Sequence, residues 1–304
     1  MTPKEFLKTL KSDAGRYLSL AIGMGVLAGF LLIAQAWYLA QTVNAVIFEE
    51  AGLGDVKSWL IAMLAIFLLR AILIWLSEQV AFKAAANIKL NLRDRLYAHL
   101  QALGPVYLRG ERAGDIANSL SDGIEALEAY FARYLPAMSL MAWVPLSIVV
   151  FVFPMDWLSG VIMLVTAPLI PLFMILIGMG AEKMNQKQWR QLARMSAHFL
   201  DMIRGLTTLK LFNASRREAD TVAQMSESYR QDTMKVLRVA FLSSLTLEFF
   251  ATISIAIIAV LIGFRLFWGE LTFLPGFFVL LLAPEFYLPL RNMGTHYHAR
   301  MEAI

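Results

Sequence analysis

The stretch NIKLNLRDRLYAHLQAL, residues 87–103, follows within a few positions on the apolar run 59–80. Its apolar and charged residues recur at three- and four-residue intervals, and it contains neither Gly nor Pro. That is the pattern of an amphipathic helix, not of a loop. A helix long enough to cross a bilayer therefore runs straight out of it: about 25 further residues at 1.5 Å each carry it roughly 35–40 Å beyond the apolar layer. Gly104 and Pro105, then Gly110 and Gly114, mark where the chain turns back. Residues 182–211 repeat the pattern after another apolar run, and Asn213, Ala214 and Ser215 supply the turn.

The rest of the chain fits this outline. Hydrophobic residues make up 59% of 304 positions and charged residues 16%, whereas soluble domains carry about 25% charge. Mean hydropathy is +0.61. Six apolar stretches, near 18–43, 59–80, 136–153, 157–180, 239–267 and 273–290, each approach the roughly 20 residues that a spanning helix needs. The expected fold is an all-α integral membrane protein, with one transmembrane domain over 1–304 and two long helical hairpins after the second and fourth spans. The first apolar run exceeds the roughly 7–15 residues of a signal-peptide core, so it reads as a retained span. Before it, residues 1–16 set Phe6, Leu7 and Leu10 among lysines, which suits a helix in the membrane interface and equally a basic tail. With no cysteine, disulfides, Cys-ligated zinc and iron–sulfur clusters are excluded.

Net charge is +4 and the pI near 9.3, but the distribution of charge makes nucleic acid unnecessary as an explanation. All but three of the 27 Lys and Arg residues, the exceptions being Lys57, Arg70 and Arg265, lie before the first span, in the two hairpins or after the last span. The positive-inside rule then assigns both termini and both hairpins to the cytoplasm.

Six spans with cytoplasmic hairpins after the second and fourth resemble the transmembrane domain of type I ABC exporters. The run Leu108, Arg109, Gly110, Glu111, Arg112, Ala113, Gly114, Asp115, Ile116 is similar to the first intracellular loop of that family, and Gly205 to Phe212 with Arg216, Arg217 and Glu218 to the second. The segments 132–136, 166–174, 198–201, 241–244 and 282–286 resemble, more narrowly, the D subunit of the bacterial heterodimeric transporter required for cytochrome bd assembly. That resemblance implies an exporter of cysteine and glutathione in the bacterial inner membrane, a second half-transporter as partner, and possession of haem b. It also implies a nucleotide-binding domain that takes ATP and Mg. The chain stops at Ile304, and none of its 18 glycines is followed by Lys, so no Gly-Lys-Ser/Thr phosphate loop is present. The expectation is that the ATPase domain is missing from this sequence, which then has no catalytic site of its own.

Four groups of residues invite roles. The hairpin tips, including Arg109, Glu111, Gly114 and Asp115 in the first and Phe212, Arg216, Arg217 and Glu218 in the second, suit coupling to ATPase domains. Arg70, Glu248 and Glu285 lie inside apolar spans, where a charge costs at least about 2.5–3.5 kcal/mol. They read either as a polar substrate pathway for a zwitterion or as an interhelical ion pair. Gln35 is a further pathway candidate, although such amides also serve as interhelical hydrogen-bond partners. Tyr297 and His298, with Arg291 nearby, read either as a haem site implied by the resemblance or as an interfacial belt of aromatic and basic residues. A haem-binding or haem-transporting membrane protein is the alternative function. No metal site is expected.

Overall fold

The structure is a computed structural model. It describes residues 15–110 and 123–302, apart from the side chains at 105–110, 126, 174–175, 177–183, 185–186, 189, 193 and 293–302. The elements are α1 (Gly15–Phe48), α2 (Leu53–Gly110), α3 (Ile124–Glu128), a π-helical turn (Ala129–Tyr134), α4 (Leu135–Met155), α5 (Trp157–Thr166), α6 (Leu169–Arg204), α7 (Leu206–Leu211), α8 (Ser215–Phe267) and α9 (Phe273–Glu302). Among the described residues five helices are long and apolar enough to cross a membrane. The expected fourth span differs: α5 ends at Thr166 and α6 starts at Leu169, with a break at Ala167 and Pro168. Proline lacks the N–H that would continue the helix. By contrast, α9 runs unbroken through Pro284 and Pro289, and α4 through Pro145.

The long helix read from residues 87–103 is present: α2 has 58 residues, and its one non-helical position is Gly104, with φ 73. This is the expected turn, in a conformation that glycine adopts without cost. Two compact units result, residues 1–167 with 251–304, and residues 168–250.

In the first unit α1 packs along α2 and α4, and α9 packs on α1 and α4. Close approach comes from small residues. A Cβ on Gly29 would stand 3.1 Å from Val144 Cγ2, and one on Gly25 2.8 Å from Leu140 Cδ2, so the two glycines one turn apart let α4 ride directly on α1. At one end Ala84, Ala85, Ile88 and Leu92 of α2 bury against Ile124, Leu127, Phe131 and Tyr134. The opposite face of α2 exposes Leu64, Phe67, Leu68, Ile72 and Trp75. With every backbone bond made inside the helix, such a face suits lipid.

The second unit is held differently. Lys187 Nζ lies 3.3 Å from Asp232 Oδ2, Gln188 Nε2 donates to Thr233 Oγ1 at 2.8 Å, and Ser228 Oγ donates to Gln191 at 3.3 Å, an antiparallel polar ladder between α6 and α8. Among the described residues of this unit only Ile170 and Asp232 are buried. At its tip Asn213 takes a left-handed φ of 51, Ala214 N–H donates to Leu209 O at 2.9 Å and Asn213 N–H to Lys210 O at 3.2 Å. This pair of bonds closes α7 with the capping motif usual for a helix C-terminus.

Candidate functional site

Arg70 lies on the face of α2 that turns inward. Ile74, Ser77, Glu78 and Ala81 share that face at helical spacing, and all of them line a cavity of about 770 Å³ in the first unit. Ser77 is itself tied down, its Oγ donating to Ala21 O at 2.8 Å. Across the cavity α9 contributes Glu285, Leu288, Pro289 and Asn292, and α1 contributes Gly25, Ala28, Gly29 and Leu32. The fourth wall is the stripe Glu128, Ala132, Pro136, Leu140 and Val144, with Arg133 beside it.

Arg70 is held loosely. Its Nη2 is 4.0 Å from Glu285 Oε2, and Nη1 donates to Gln35 Oε1 at 3.5 Å. Both separations exceed the usual 2.7–2.9 Å of a charge-assisted bond. The two side chains remain 26% and 33% exposed, so neither is sealed into a structural pair. Arg70 thus faces an acid beside the cavity with most of its five donors unspent.

Of the other candidates, Gln35 and Glu285 join Arg70, whereas Glu248 lies on α8 in the second unit and is not among the residues lining the cavity. Glu78, Glu128, Arg133 and Asn292 line it and do not stand out in the sequence. The signal for Glu78 is there, because it lies eight residues after Arg70 on one helical face. Glu128 is held by Lys89, which also takes Glu125 at 2.7 Å. Hydrogen bonding from that ammonium, and its charge, hold the Glu125 carboxyl below the ordinary carboxylate range.

At the second hairpin Phe212 is 79% exposed and Leu211 80%, a bare apolar tip. Arg216, Arg217 and Glu218 occupy the first turn of α8. Glu218 turns back towards α6, with Oε2 3.3 Å from His198 Nε2. Arg109 lies at the end of α2 with its side chain outside the described ones, and Glu111, Gly114 and Asp115 lie outside the described residues. The backbone of α9 carries Tyr297 and His298 on its last turns, beyond Asn292, but their side chains lie outside those described. Arg291 is described and half-buried. Among the described residues no three His, Asp or Glu gather as a metal site.

A second arginine stands at the far end of α8. Arg265 Nη1 donates to Asp156 Oδ1 at 2.6 Å, and Ser159 Oγ donates to Asp156 Oδ2 at 2.5 Å. The Asp156 side chain is 1% exposed. Burial pushes its carboxyl up, but the hydrogen bonds from Ser159 and Arg265 outweigh burial and leave it below the ordinary range. This clasp joins the α4–α5 turn to the end of α8.

Residues 18–284 match the family described as ABC transporter transmembrane region. The chain is 43% identical to "Transport ATP-binding protein AarD" of Providencia stuartii over 98% of its own length and 52% of that protein's. It is 42% identical to "Glutathione/L-cysteine transport system ATP-binding/permease protein CydD" of Escherichia coli over 99% of its length and 53% of the relative's. To the protein of the same name from Haemophilus influenzae it is 37% identical, over 99% and 53%. The chain spans about half the length of the curated relatives it matches. Long apolar helices, the extended hairpin of α6 and α8 and a match over most of the sequence lead to one conclusion: the chain belongs to the ABC transporter transmembrane family, with the type I exporter fold.

Proposed function

We propose that this chain forms the membrane pathway of an ATP-driven exporter that moves small thiols, cysteine and glutathione, out of the cytoplasm in support of cytochrome bd assembly. In this reading the protein resides in the bacterial inner membrane with both termini and both hairpins in the cytoplasm. A nucleotide-binding domain supplies ATP and Mg chemistry, and a second half-transporter completes the pathway. The observation that carries it is Arg70, a guanidinium with unspent donors facing a cavity of about 770 Å³, a size within the roughly 300–1,000 Å³ of small-molecule sites. A carboxylate displaces weak 3.5–4.0 Å contacts at little cost and gains a bidentate pair. Glu285 beside it answers the ammonium of the same amino acid. The names of the relatives from Escherichia coli and Haemophilus influenzae supply the thiol class.

Coupling falls to the hairpin tips, with Phe212 and Leu211 as the apolar knob that a nucleotide-binding domain grips, and Arg216 and Arg217 at its polar rim. Haem b enters this proposal on the sequence resemblance alone, with Tyr297, His298 and Arg291 to hold it at the end of α9. In a haem-loaded preparation, His298→Ala is expected to change the absorption spectrum; an unchanged spectrum removes that site.

The test of transport is ATP-dependent uptake of labelled cysteine into inverted vesicles carrying the complete transporter. Arg70→Gln is expected to lower uptake at least about tenfold, the scale of one lost charge-assisted bond at about 1.5–3 kcal/mol. Uptake unaffected by Arg70→Gln would remove Arg70 from the pathway.

A further inference from the structure

We propose that Arg133 is a second anion-binding station in the same cavity, and that it selects thiols bearing an additional carboxylate, such as glutathione, over the simple amino acid. The inference rests on the thiol-export reading above and deepens it.

Arg133 lines the cavity, is exposed, and makes no ion pair or hydrogen bond among the described residues. It owes its position to the π-helical turn. Leu135 N–H reaches back five residues to Tyr130 O, and Pro136, next in sequence, has no N–H to offer. Lining residues 128, 132, 136, 140 and 144 recur at intervals of four. In a regular α-helix each such step overshoots a full turn by about 40°, and the stripe would wind away from the cavity. The wider π turn takes up part of that overshoot, and Arg133 stays beside the stripe.

Its height in the cavity follows from Lys89. That residue binds Glu128, and Arg93 lies 3.9 Å from Glu125, so α2 and this segment run antiparallel. Arg133, five residues past Glu128, then lies level with the region of α2 just beyond Phe82. From Arg70 to Phe82 the lining residues of α2 extend about 18 Å. Two extended arginine side chains close much of that gap, and an extended tripeptide spans about 10 Å.

The two stations differ in charge balance. Arg70 has Glu285 beside it, so the pair is neutral and suits an α-amino acid group, a carboxylate with an ammonium. Arg133 makes no ion pair with an acid among the described residues: Glu128 is held by Lys89, and Glu78, which also lines the cavity, is not paired with it. Cysteine at neutral pH is a net-neutral zwitterion. Glutathione carries two carboxylates and one ammonium, so one carboxylate is left over for Arg133 after the amino acid group has met Arg70 and Glu285.

The experiment uses the complete transporter with its nucleotide-binding domains and partner subunit. ATP-dependent uptake of labelled glutathione and labelled cysteine is measured in parallel for the parent protein, Arg133→Gln and Arg133→Lys. Arg133→Gln is expected to raise the KM for glutathione about tenfold while moving that for cysteine less than twofold, and Arg133→Lys to recover most of the loss. Added salt is expected to weaken glutathione uptake in the parent more steeply than in Arg133→Gln. Equal effects on both thiols, or none on glutathione, would overturn the assignment. If the parent transports neither thiol, the export reading fails, and titration calorimetry of glutathione into the purified transporter judges Arg133 separately. Weaker binding in Arg133→Gln supports the station; equal binding, or none by the parent, sinks it.

Discussion

Arg265 and Arg70 are both arginines among apolar helices, and they are held in opposite ways. Arg265 meets Asp156 at 2.6 Å, its partner is 1% exposed, and Ser159 occupies the second carboxylate oxygen. Arg70 meets Glu285 at 4.0 Å and Gln35 at 3.5 Å beside a large cavity. The same chemistry thus makes a closed clasp in one place and a loose, open contact in the other. The difference lies in whether the carboxylate has all its lone pairs satisfied within the protein. A saturated pair has nothing left to give a ligand, whereas a loose one exchanges partners cheaply.

The contrast breaks or holds first on stability. Asp156→Ala strands the Arg265 guanidinium in a site built to neutralise it, and removing one partner of a buried pair costs about 3–5 kcal/mol. Glu270, 3.9 Å from Arg265 and well exposed, offers only weak compensation. The measurement is the denaturation midpoint of the purified protein in detergent. Arg70→Gln in the same assay is expected to cost no more than about 1 kcal/mol, because its contacts are long and both partners are partly exposed. If the two variants lose stability equally, Arg70 is a structural residue and the proposed pathway loses its anchor.

The sequence announced the frame more clearly than the site. Long helices, the turn at Gly104 and the turn at Asn213 were all legible, because each depends on local periodicity or on a residue's backbone freedom. Arg70 and Glu285 stood out for a different reason, the cost of charge in an apolar run, and that argument found residues without finding their distances. Arg133 escaped it, since it stands at the edge of a span where a charge is cheap. What sets it beside the cavity is the π-helical turn, and no propensity foretells a phase shift of that kind. Asp156 and Ser159 escaped as well. A polar residue between two spans reads as an ordinary loop, and only the packing of α8 against that loop turns it into a clasp. The break at Pro168 shows the same limit from the other side, because Pro284 in a similar apolar setting leaves its helix continuous.

The smallest effect probes how the clasp is built. Ser159 donates to Asp156 Oδ2 while Arg265 takes Oδ1, so Ser159→Ala leaves the ion pair in place and removes one buried hydrogen bond, about 1 kcal/mol. Its pH dependence is the sharper test. The folded Asp156 carboxyl lies below the ordinary range, so its contribution is complete above the unfolded pKa of about 3.9 and is lost as pH falls through the lower folded value. Both proteins should therefore show a flat contribution from Asp156 between about pH 5 and 8. Below about pH 4 the parent should lose stability more steeply than Ser159→Ala, because the variant's carboxyl lies nearer its unfolded value and has less to lose. Denaturation midpoints recorded at about pH 7, 5 and 3.5 separate the cases. Parallel curves would mean that Ser159 does not hold the carboxylate and that Arg265 alone makes the clasp.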